Sequence, residues 1–160
     1  APTDAAGNNT DGARYGCSRV DSDGTKKMHY GLDLLAAVGT SCVAIYDGVV
    51  SGIVDNVPND QQTGGLGNRL VVRSTVNGQS LSLMYCHLSQ ISVANGQIVT
   101  AGTEIGKTGR SGNAFDVPHK HLHLAASSDR FLTSANIVDP EPYLKTTYKP
   151  HPNPNPKTCT

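Results

Sequence analysis

Residues 118–124 read Pro-His-Lys-His-Leu-His-Leu and place three of the chain's six histidines within five positions. In an extended strand, successive side chains point to opposite faces of the sheet. His119, His121 and His123 would therefore share one face, while the two leucines of the stretch would face an apolar core. The stretch predicts a β-strand that carries a row of imidazoles, which are common metal ligands and general bases near neutral pH.

A second cluster lies upstream, where residues 28–35 read Met-His-Tyr-Gly-Leu-Asp-Leu-Leu. His29 and Asp33 are four residues apart and share a face in a strand, and Gly31 between them leaves space for an ion. Together with one histidine of residues 118–124 they would offer two nitrogens and one carboxylate oxygen. That ligand set is typical of a catalytic zinc ion, whose fourth position stays open for water. The alternative is that these are ordinary surface or core histidines held by hydrogen bonds.

The composition limits the function classes. Thirteen basic and thirteen acidic residues give a formal net charge of zero, which predicts no nucleic-acid partner and no anionic membrane partner. No apolar run reaches the roughly 20 residues that a spanning helix needs. Seventeen glycines and the absence of Trp favour short strands with tight turns, so we expect an all-β fold of one domain. A chain that begins at Ala1 without Met is expected to be a processed or trimmed product.

Asp-Gly and Asn-Gly pairs between apolar runs predict hairpins. The predicted hairpins join 43–46 to 49–54 through Asp47-Gly48, and 70–74 to 80–87 through Asn77-Gly78. The second hairpin would carry His87 to a strand end. The segment from Asp55 to Asn68 contains a proline and three glycines and is predicted to be a long loop that overhangs a cleft.

Residues 102–108 nearly match a phosphate-binding P-loop, but the first glycine is one position too close and no long helix is predicted to follow. We therefore interpret 97–99 as a strand and 106–112 as a glycine-rich loop beside the histidine strand. The turn formers of Asp21–Gly24 resemble part of a calcium loop that lacks its other ligands, so a surface turn is expected there.

The two ends of the chain differ in composition from its middle. Residues 1–16 are mostly small and polar and are predicted to be a flexible N-terminal segment. Residues 148–160 alternate proline with other residues and are predicted to be a tail, so His151 within it is not expected to be a ligand. The predicted domain is therefore 17–147.

Four cysteines stand at positions 17, 42, 86 and 159, without a Cys-x-x-Cys pair. Two disulfides in an oxidising compartment are expected, and three pairings are possible. The alternative is buried free thiols in a cytosolic protein. A bond from Cys159 would tie the tail to the body.

Taken together, these motifs resemble the lysostaphin/LytM-type zinc metallopeptidases. The matching motifs, in order, are His29-Tyr30-Gly31-Leu32-Asp33, Gly39-Thr40, Gly67-Asn68, Tyr85-Cys86-His87-Leu88, Ile105-Gly106-Lys107-Thr108-Gly109 and His121-Leu122-His123. The resemblance implies a β-rich fold in which an antiparallel sheet floors an open groove with long surrounding loops and few short helices. It also implies a zinc ion bound by His29, Asp33 and His123, with His87 and His121 as catalytic histidines that do not bind the metal.

The chain departs from the family pattern next to the last motif. His119-Lys120 replaces the usual Gly-Pro, which makes His119 a candidate spare or competing ligand. His123 is followed by Leu124-Ala125-Ala126 instead of an acidic or aromatic ending, which removes a carboxylate that could support the metal ligands. The three expected metal ligands are unchanged.

The resemblance implies hydrolysis of peptide bonds in bacterial peptidoglycan by a secreted or periplasmic, monomeric enzyme, with an inhibitor or immunity protein as a further partner. The cleaved bond, glycyl-glycine or a D-amino-acid cross-link, is left open. One alternative is a non-catalytic binding module, and another is a secreted signalling protein on the same zinc-binding fold. Retention of the metal ligands argues against the first, and retention of both catalytic histidines argues against the second.

Overall fold

The computed structural model describes residues 11–146 and 159, which form an antiparallel β-structure with three one-turn 3-10 helices. The strands are β1 (Gly16–Val20), β2 (Lys26–His29), β3 (Leu32–Leu35), β4 (Ser41–Val43), β5 (Gly48–Val54), β6 (Asn68–Val76), β7 (Gln79–Ile91), β8 (Ile98–Val99), β9 (Glu104–Thr108), β10 (His121–Ser127) and β11 (Ile137–Val138). The 3-10 helices are Asp11–Ala13, Gly112–Ala114 and Glu141–Tyr143. The prediction of an antiparallel, β-rich fold with few short helices is confirmed.

Strand β10 connects the elements that matter for the site. It pairs with β7 on one side and with β3 and β11 on the other, all antiparallel. In this register His123 lies between Asp33 on β3 and Cys86 on β7. The histidine strand is therefore an inner strand whose neighbours carry the other polar residues of interest.

The two faces of the sheet bury different apolar clusters. Leu122 and Leu124 contact the larger cluster, which also contains Leu70, Leu83 and Tyr85. The smaller cluster, on the other face, is formed by Met84, Cys86 and Ala125 with partly buried neighbours. The alternation predicted from residues 118–124 is thus correct from residue 121 onward, and the even-numbered leucines anchor the strand in the core.

The predicted Asn77-Gly78 hairpin is confirmed. Val76 pairs with Gln79 across the turn between β6 and β7, and both turn residues have positive φ, 51° for Asn77 and 77° for Gly78. Asparagine and glycine tolerate this left-handed backbone best, which explains why the pair sets the register. His87, however, lies inside β7 and not at its end as predicted.

The predicted Asp47-Gly48 hairpin is wrong. Strand β4 pairs with β9, and β5 pairs with β6 and β8. The residues between β4 and β5 are held instead by the turn before β9, where the amide of Ala44 donates to Thr103 and the amide of Gly102 donates to Ala44. The Asp47 carboxylate accepts a further bond from the amide of Ala101 at 2.7 Å. The segment therefore leads from β4, which pairs with β9, to β5, which pairs with β6, without forming a hairpin.

The loop predicted after β5 is present as residues 55–67. The Asn68 side chain anchors it, because its amide group donates to Val57 O and its Oδ1 accepts from Val57 N, both at 2.8 Å. The predicted glycine-rich loop at 106–112 is wrong in its first half, since Gly106 lies within β9. A Cβ on Gly106 would be 2.3 Å from the carbonyl oxygen of Gln90, so glycine permits the close pairing of β9 with β7. The surface turn predicted at Asp21–Gly24 joins β1 to β2.

Parts of the terminal predictions lie outside the described residues, namely residues 1–10 and most of the tail with His151. Within the segment predicted as a flexible lead-in, Arg14 and Tyr15 are buried, so that expectation is wrong for residues 14 and 15. The domain limits of 17 and 147 stay predictions. Among the described residues no helix has the length and apolar composition needed to cross a bilayer.

The expectation of two disulfides is wrong. Cys17 is bonded to Cys159, as expected for a bond that ties the tail to the body, while Cys42 and Cys86 are buried free thiols. Cys42 belongs to the larger apolar cluster and Cys86 to the smaller one, so the sheet separates them. Burial raises the pKa of Cys42 to about 12 and also raises the pKa of Cys86. Because the thiolate is the reactive form, both thiols should be inert in the folded protein.

We expect thiol titration without reductant to find two thiols per chain after denaturation and almost none before it, because burial protects Cys42 and Cys86. The measurement is a colorimetric thiol assay with and without denaturant. Zero thiols after denaturation would restore the two-disulfide prediction, and four would exclude the Cys17–Cys159 bond.

Candidate metal centre

Three buried polar residues converge on the face of the sheet that carries the smaller apolar cluster. His29 ends β2, Tyr30 and Gly31 form a short bend, and Asp33 follows in β3 directly opposite His123 of β10. The four-residue spacing of His29 and Asp33 works because a two-residue bend joins two short strands.

The distances between the donor atoms suit a small ion. Asp33 Oδ1 lies 2.8 Å from His123 Nδ1 and 3.2 Å from His29 Nε2, and the two ring nitrogens are 3.3 Å apart. Donor atoms about 2.0 to 2.1 Å from a tetrahedral zinc ion are roughly 3.3 Å from one another. Among the described residues, His29, Asp33 and His123 form the one group of histidine, cysteine and carboxylate side chains arranged to hold a metal ion.

Gly31 makes the arrangement possible, though not in the way the sequence suggested. A Cβ at this position would lie 2.6 Å from both Cε1 and Nε2 of the His123 ring. The space beside Gly31 is therefore filled by the imidazole of His123 and not by an ion. Any larger residue would push His123 away from Asp33.

A backbone carbonyl fixes the tautomer of His29. Its Nδ1 donates to the carbonyl oxygen of Arg14 at 2.9 Å, and since a carbonyl can only accept, that nitrogen carries the proton. The lone pair of Nε2 is then directed at Asp33 and His123. Support of this kind for the non-ligating nitrogen is usual for metal-binding histidines.

The electrostatics favour the ligand forms of the two other groups. Burial would raise the pKa of Asp33, but its contacts with the ring nitrogens of His123 and His29 outweigh burial and hold that pKa well below its usual range. Burial lowers the pKa of His123, although its bond to Asp33 acts in the opposite direction. An ionised carboxylate and a neutral imidazole are the forms that bind a metal.

His87 approaches the centre from an irregularity in β7. Its φ of 62° is in the left-handed region, and the pairing of β7 with β6 shifts register between Tyr85 and Leu88. Such a conformation costs on the order of 1–3 kcal/mol for a residue with a side chain and persists where the surroundings hold it. The bulge directs the ring of His87 to within 5.9 Å of the His123 ring, between ring centroids.

The His87 ring is held neutral with one free nitrogen. Nδ1 donates to the carbonyl oxygen of Ser111 at 2.9 Å, so the lone pair is on Nε2. Burial lowers the pKa of His87 to about 4. At neutral pH the ring can therefore accept a proton or a hydrogen bond through Nε2 without carrying a charge of its own.

His29, Asp33 and His123 are called the metal group from here on. His121 lies beside the metal group but does not belong to it. Its Nδ1 donates to the carbonyl oxygen of His119 at 2.9 Å, and its Nε2 is 3.7 Å from Asp33 Oδ1. Its ring centroid is 5.2 Å from that of His87. His121 and His87 thus place two non-ligating rings next to the three converging donors.

His119 does not join the predicted row of imidazoles. It precedes β10, it is exposed, and its contact with the site is made by its backbone carbonyl, not by its ring. Lys120 explains the local shape, because its ammonium group donates to the carbonyl oxygens of Phe115 and Val117, both at 2.6 Å. These bonds curl the chain before β10, so the alternation predicted from the sequence does not extend to residue 119.

Ser111 is a residue of the site that sequence reasoning missed. Besides holding His87, it donates through Oγ to Leu88 O at 2.8 Å and accepts from the amide of Asn68 at 2.9 Å. A Cβ on Gly67 would be 2.4 Å from Ser111 O, so Ser111 can approach this closely only because residue 67 is glycine. A serine in a glycine-rich stretch carries no pattern of its own, and only the fold shows its role.

The chain is similar in sequence to known peptidases. Residues 27–136 match the family described as peptidase family M23. Lysostaphin of Staphylococcus simulans is 33% identical over 119 residues, which are 74% of this chain and 22% of that protein. The glycyl-glycine endopeptidase ALE-1 of Staphylococcus capitis is 34% identical over 118 residues, 73% of this chain and 29% of that protein. The peptidoglycan DD-endopeptidase ShyA of Vibrio cholerae is 34% identical over 102 residues, 62% of this chain and 21% of that protein.

A solved structure shares the fold. The catalytic domain of the antimicrobial peptidase lysostaphin from S. simulans superposes with a TM-score of 0.61 at 27% sequence identity, covering 84% of this chain and 90% of that domain. The chain spans less than a third of the length of the three curated relatives, although it corresponds to nearly all of this domain. The family match includes the three converging donors and both neighbouring histidines, and the chain therefore belongs to peptidase family M23.

Proposed function

We propose that the chain is a zinc-dependent endopeptidase that hydrolyses peptide bonds in the stem or cross-bridge peptides of bacterial peptidoglycan. The observation that carries the proposal is the arrangement of His29, Asp33 and His123, whose donor atoms are 2.8 to 3.3 Å apart beside two more histidines with free Nε2 atoms. Three ligands with an unfilled fourth direction are typical of catalytic zinc, whereas a structural site uses four.

The donor set supports zinc over harder metals. Two imidazole nitrogens and one carboxylate oxygen suit zinc, while calcium and magnesium prefer six or more oxygen ligands. A zinc ion held there would supply Lewis acidity toward the scissile carbonyl and would lower the pKa of a water molecule toward about 7.

His87 and His121 account for the remaining steps. Each offers an Nε2 lone pair at the edge of the metal group and fixes its own tautomer through a backbone carbonyl. Either ring can take the proton of the attacking water and return it to the leaving amine, and a protonated ring can stabilise developing negative charge. Because burial keeps His87 uncharged, it is suited to orient a water or the substrate, while His121 is the more accessible proton carrier.

The names of the relatives support the substrate class. One is a glycyl-glycine endopeptidase and another a peptidoglycan DD-endopeptidase, so the relatives differ in the bond that their names specify. We propose peptidoglycan peptides as the substrate, with the bond to be determined. A secreted or periplasmic location follows from that substrate, and the Cys17–Cys159 disulfide suits an oxidising compartment.

Digestion of purified peptidoglycan, followed by mass analysis of the soluble products, tests the proposal. We expect fragments with new peptide termini that identify the cleaved bond, and we expect none after the metal is removed by a chelator, with activity restored by added zinc. Sacculi that carry glycine cross-bridges and sacculi with direct D-amino-acid cross-links should be digested in parallel. Binding to sacculi without any cleavage would instead support the non-catalytic module, and neither binding nor cleavage would support the signalling protein.

A further inference from the structure

The N-terminal arm, which we define as residues 12–20, contacts two of the three converging donors from outside the family match of 27–136. The carbonyl oxygen of Arg14 accepts from His29, and the guanidinium of Arg19 donates to Asp33. The arm therefore reaches the metal group although the family pattern does not include it.

Arg19 engages the oxygen of Asp33 that faces away from the other donors. Its Nη2 is 2.5 Å from Asp33 Oδ2, while Asp33 Oδ1 faces His29 and His123. The Nε of Arg19 donates to the carbonyl oxygen of Gly12 at 3.1 Å, which fixes the plane of the guanidinium. This bond holds Oδ2 toward Arg19 and leaves Oδ1 facing the other two donors. A single oxygen suits a four-coordinate ion better than a bidentate carboxylate does.

Arg14 is itself held in place. Its guanidinium makes a bidentate pair with Glu141, with both N–O distances 2.7 Å, and its side chain is only 3% exposed. Its carbonyl accepts from Ser18 Oγ at 2.7 Å as well as from His29. Bidentate pairs of this kind impose orientation as well as attraction. The carbonyl that selects the His29 tautomer is thus fixed by contacts from both ends of the described chain.

The disulfide completes this attachment. Cys17 lies in β1 between Arg14 and Arg19 and is bonded to Cys159. Glu141 and Cys159, which hold the arm through an ion pair and a disulfide, both lie beyond residue 136. The arm and the residues that hold it are therefore outside the matched region.

We propose that the N-terminal arm is a positioning element of the metal centre, with Arg19 as the positioning residue that orients Asp33 toward zinc. This inference rests on the proposed zinc site and adds a determinant of its affinity. Arg19 is 47% exposed although Asp33 is buried, so a purely structural effect of the pair would appear in the unfolding temperature of the metal-free protein and not in metal affinity alone. An outer partner of a metal ligand, by contrast, typically changes metal affinity about 10- to 100-fold when it is removed.

The test is the zinc affinity of the parent, Arg19→Gln, Arg19→Lys and Lys27→Met, measured by competition with a chromophoric chelator, together with thermal unfolding of each metal-free protein. We expect Arg19→Gln to bind zinc about 10- to 100-fold more weakly than the parent with an unchanged unfolding temperature. Arg19→Lys should be intermediate, since an ammonium group can reach Asp33 but not Gly12 as well. Lys27→Met is the matched control, because it removes the Lys27–Asp21 ion pair of the same hairpin, also 2.5 Å long, away from the metal group.

A second variant tests the attachment of the arm. Cys17→Ser/Cys159→Ser should weaken zinc affinity in the same direction, and a parent-like affinity would overturn the role of the disulfide. Parent-like affinity in Arg19→Gln, or an equal loss in Lys27→Met, would overturn the role of Arg19 while leaving the zinc site intact. A parent protein that binds no zinc would overturn the proposed function and this inference together.

Discussion

Alanine in place of His29, Asp33 or His123 is expected to remove tightly bound zinc and, with it, measurable hydrolysis. The purified parent should hold about one zinc ion per chain, because three protein ligands with an open fourth position define one catalytic site. Each variant leaves two donors, one fewer than the three protein ligands of a catalytic zinc site. Elemental analysis of the parent and the three variants after identical dialysis makes the comparison.

His119→Ala is the matched control for this experiment. It removes a histidine from the same stretch of sequence, but one that is exposed and contacts the site only through its backbone carbonyl. Its zinc content should equal that of the parent. Full zinc content in all three ligand variants would end the assignment of the site, and loss of zinc in His119→Ala would show that the exposed histidine replaces one of the buried donors.

The predicted part of the site follows from simple periodicity. Residues of alternating polarity in β10 allow one register only, since a shift by one residue would place His123 in the larger apolar cluster and Leu124 on the face of the three converging donors. The four-residue separation of His29 and Asp33 is likewise readable once a glycine turn is placed between them. These local rules do not depend on distant parts of the chain, which is why they could be applied before the fold was known.

The failed hairpin at Asp47-Gly48 shows where local rules stop. The pair has the composition of a tight turn, but the backbone groups of Ala44 find partners at Gly102 and Thr103, more than fifty residues away. Those bonds and the burial of Ala44 outweigh the local preference. The Asn77-Gly78 pair has no such competitor, and there the local preference decides the structure.

Cysteine pairing failed for a related reason. An even number of cysteines suggests full pairing, yet Cys42 and Cys86 face opposite apolar clusters and behave as small core residues. Which face a cysteine occupies depends on strand order and register across the whole sheet. The count of cysteines alone contains no information about that order.

The residues that support the metal group were not predictable from spacing. Ser111 reaches His87, and Arg19 reaches Asp33, through contacts between segments that no sequence pattern relates. Ser111 acts on His87 through its backbone carbonyl, which any residue type offers, and Arg19 binds a single carboxylate oxygen, which other donors could also reach. Ligands are restricted in type and spacing, whereas the groups that orient them are restricted mainly by position.

The proposed roles of the histidines, with His29 and His123 binding the metal and His87 and His121 beside it, lead to the second large effect. We expect His121→Ala and His87→Ala to keep their zinc and their fold but to lose hydrolysis by on the order of a hundredfold or more, the usual scale for removing a general base or a donor to the transition state. The physical reason is geometric. The Nε2 of His121 is 3.7 Å from Asp33 Oδ1, and the His87 ring centroid is 5.9 Å from that of His123, so both rings stand beside the metal group and neither completes it.

Zinc content and peptidoglycan-cleavage rate are to be measured side by side on the parent, His121→Ala, His87→Ala and His119→Ala. The last variant should retain most of its activity because the backbone carbonyl that holds His121 is unaffected by loss of the His119 side chain. If His121→Ala loses its zinc while His119→Ala loses activity, the roles along the strand are displaced by two residues. If neither His121→Ala nor His87→Ala changes the rate while zinc stays bound, the two histidines are not catalytic.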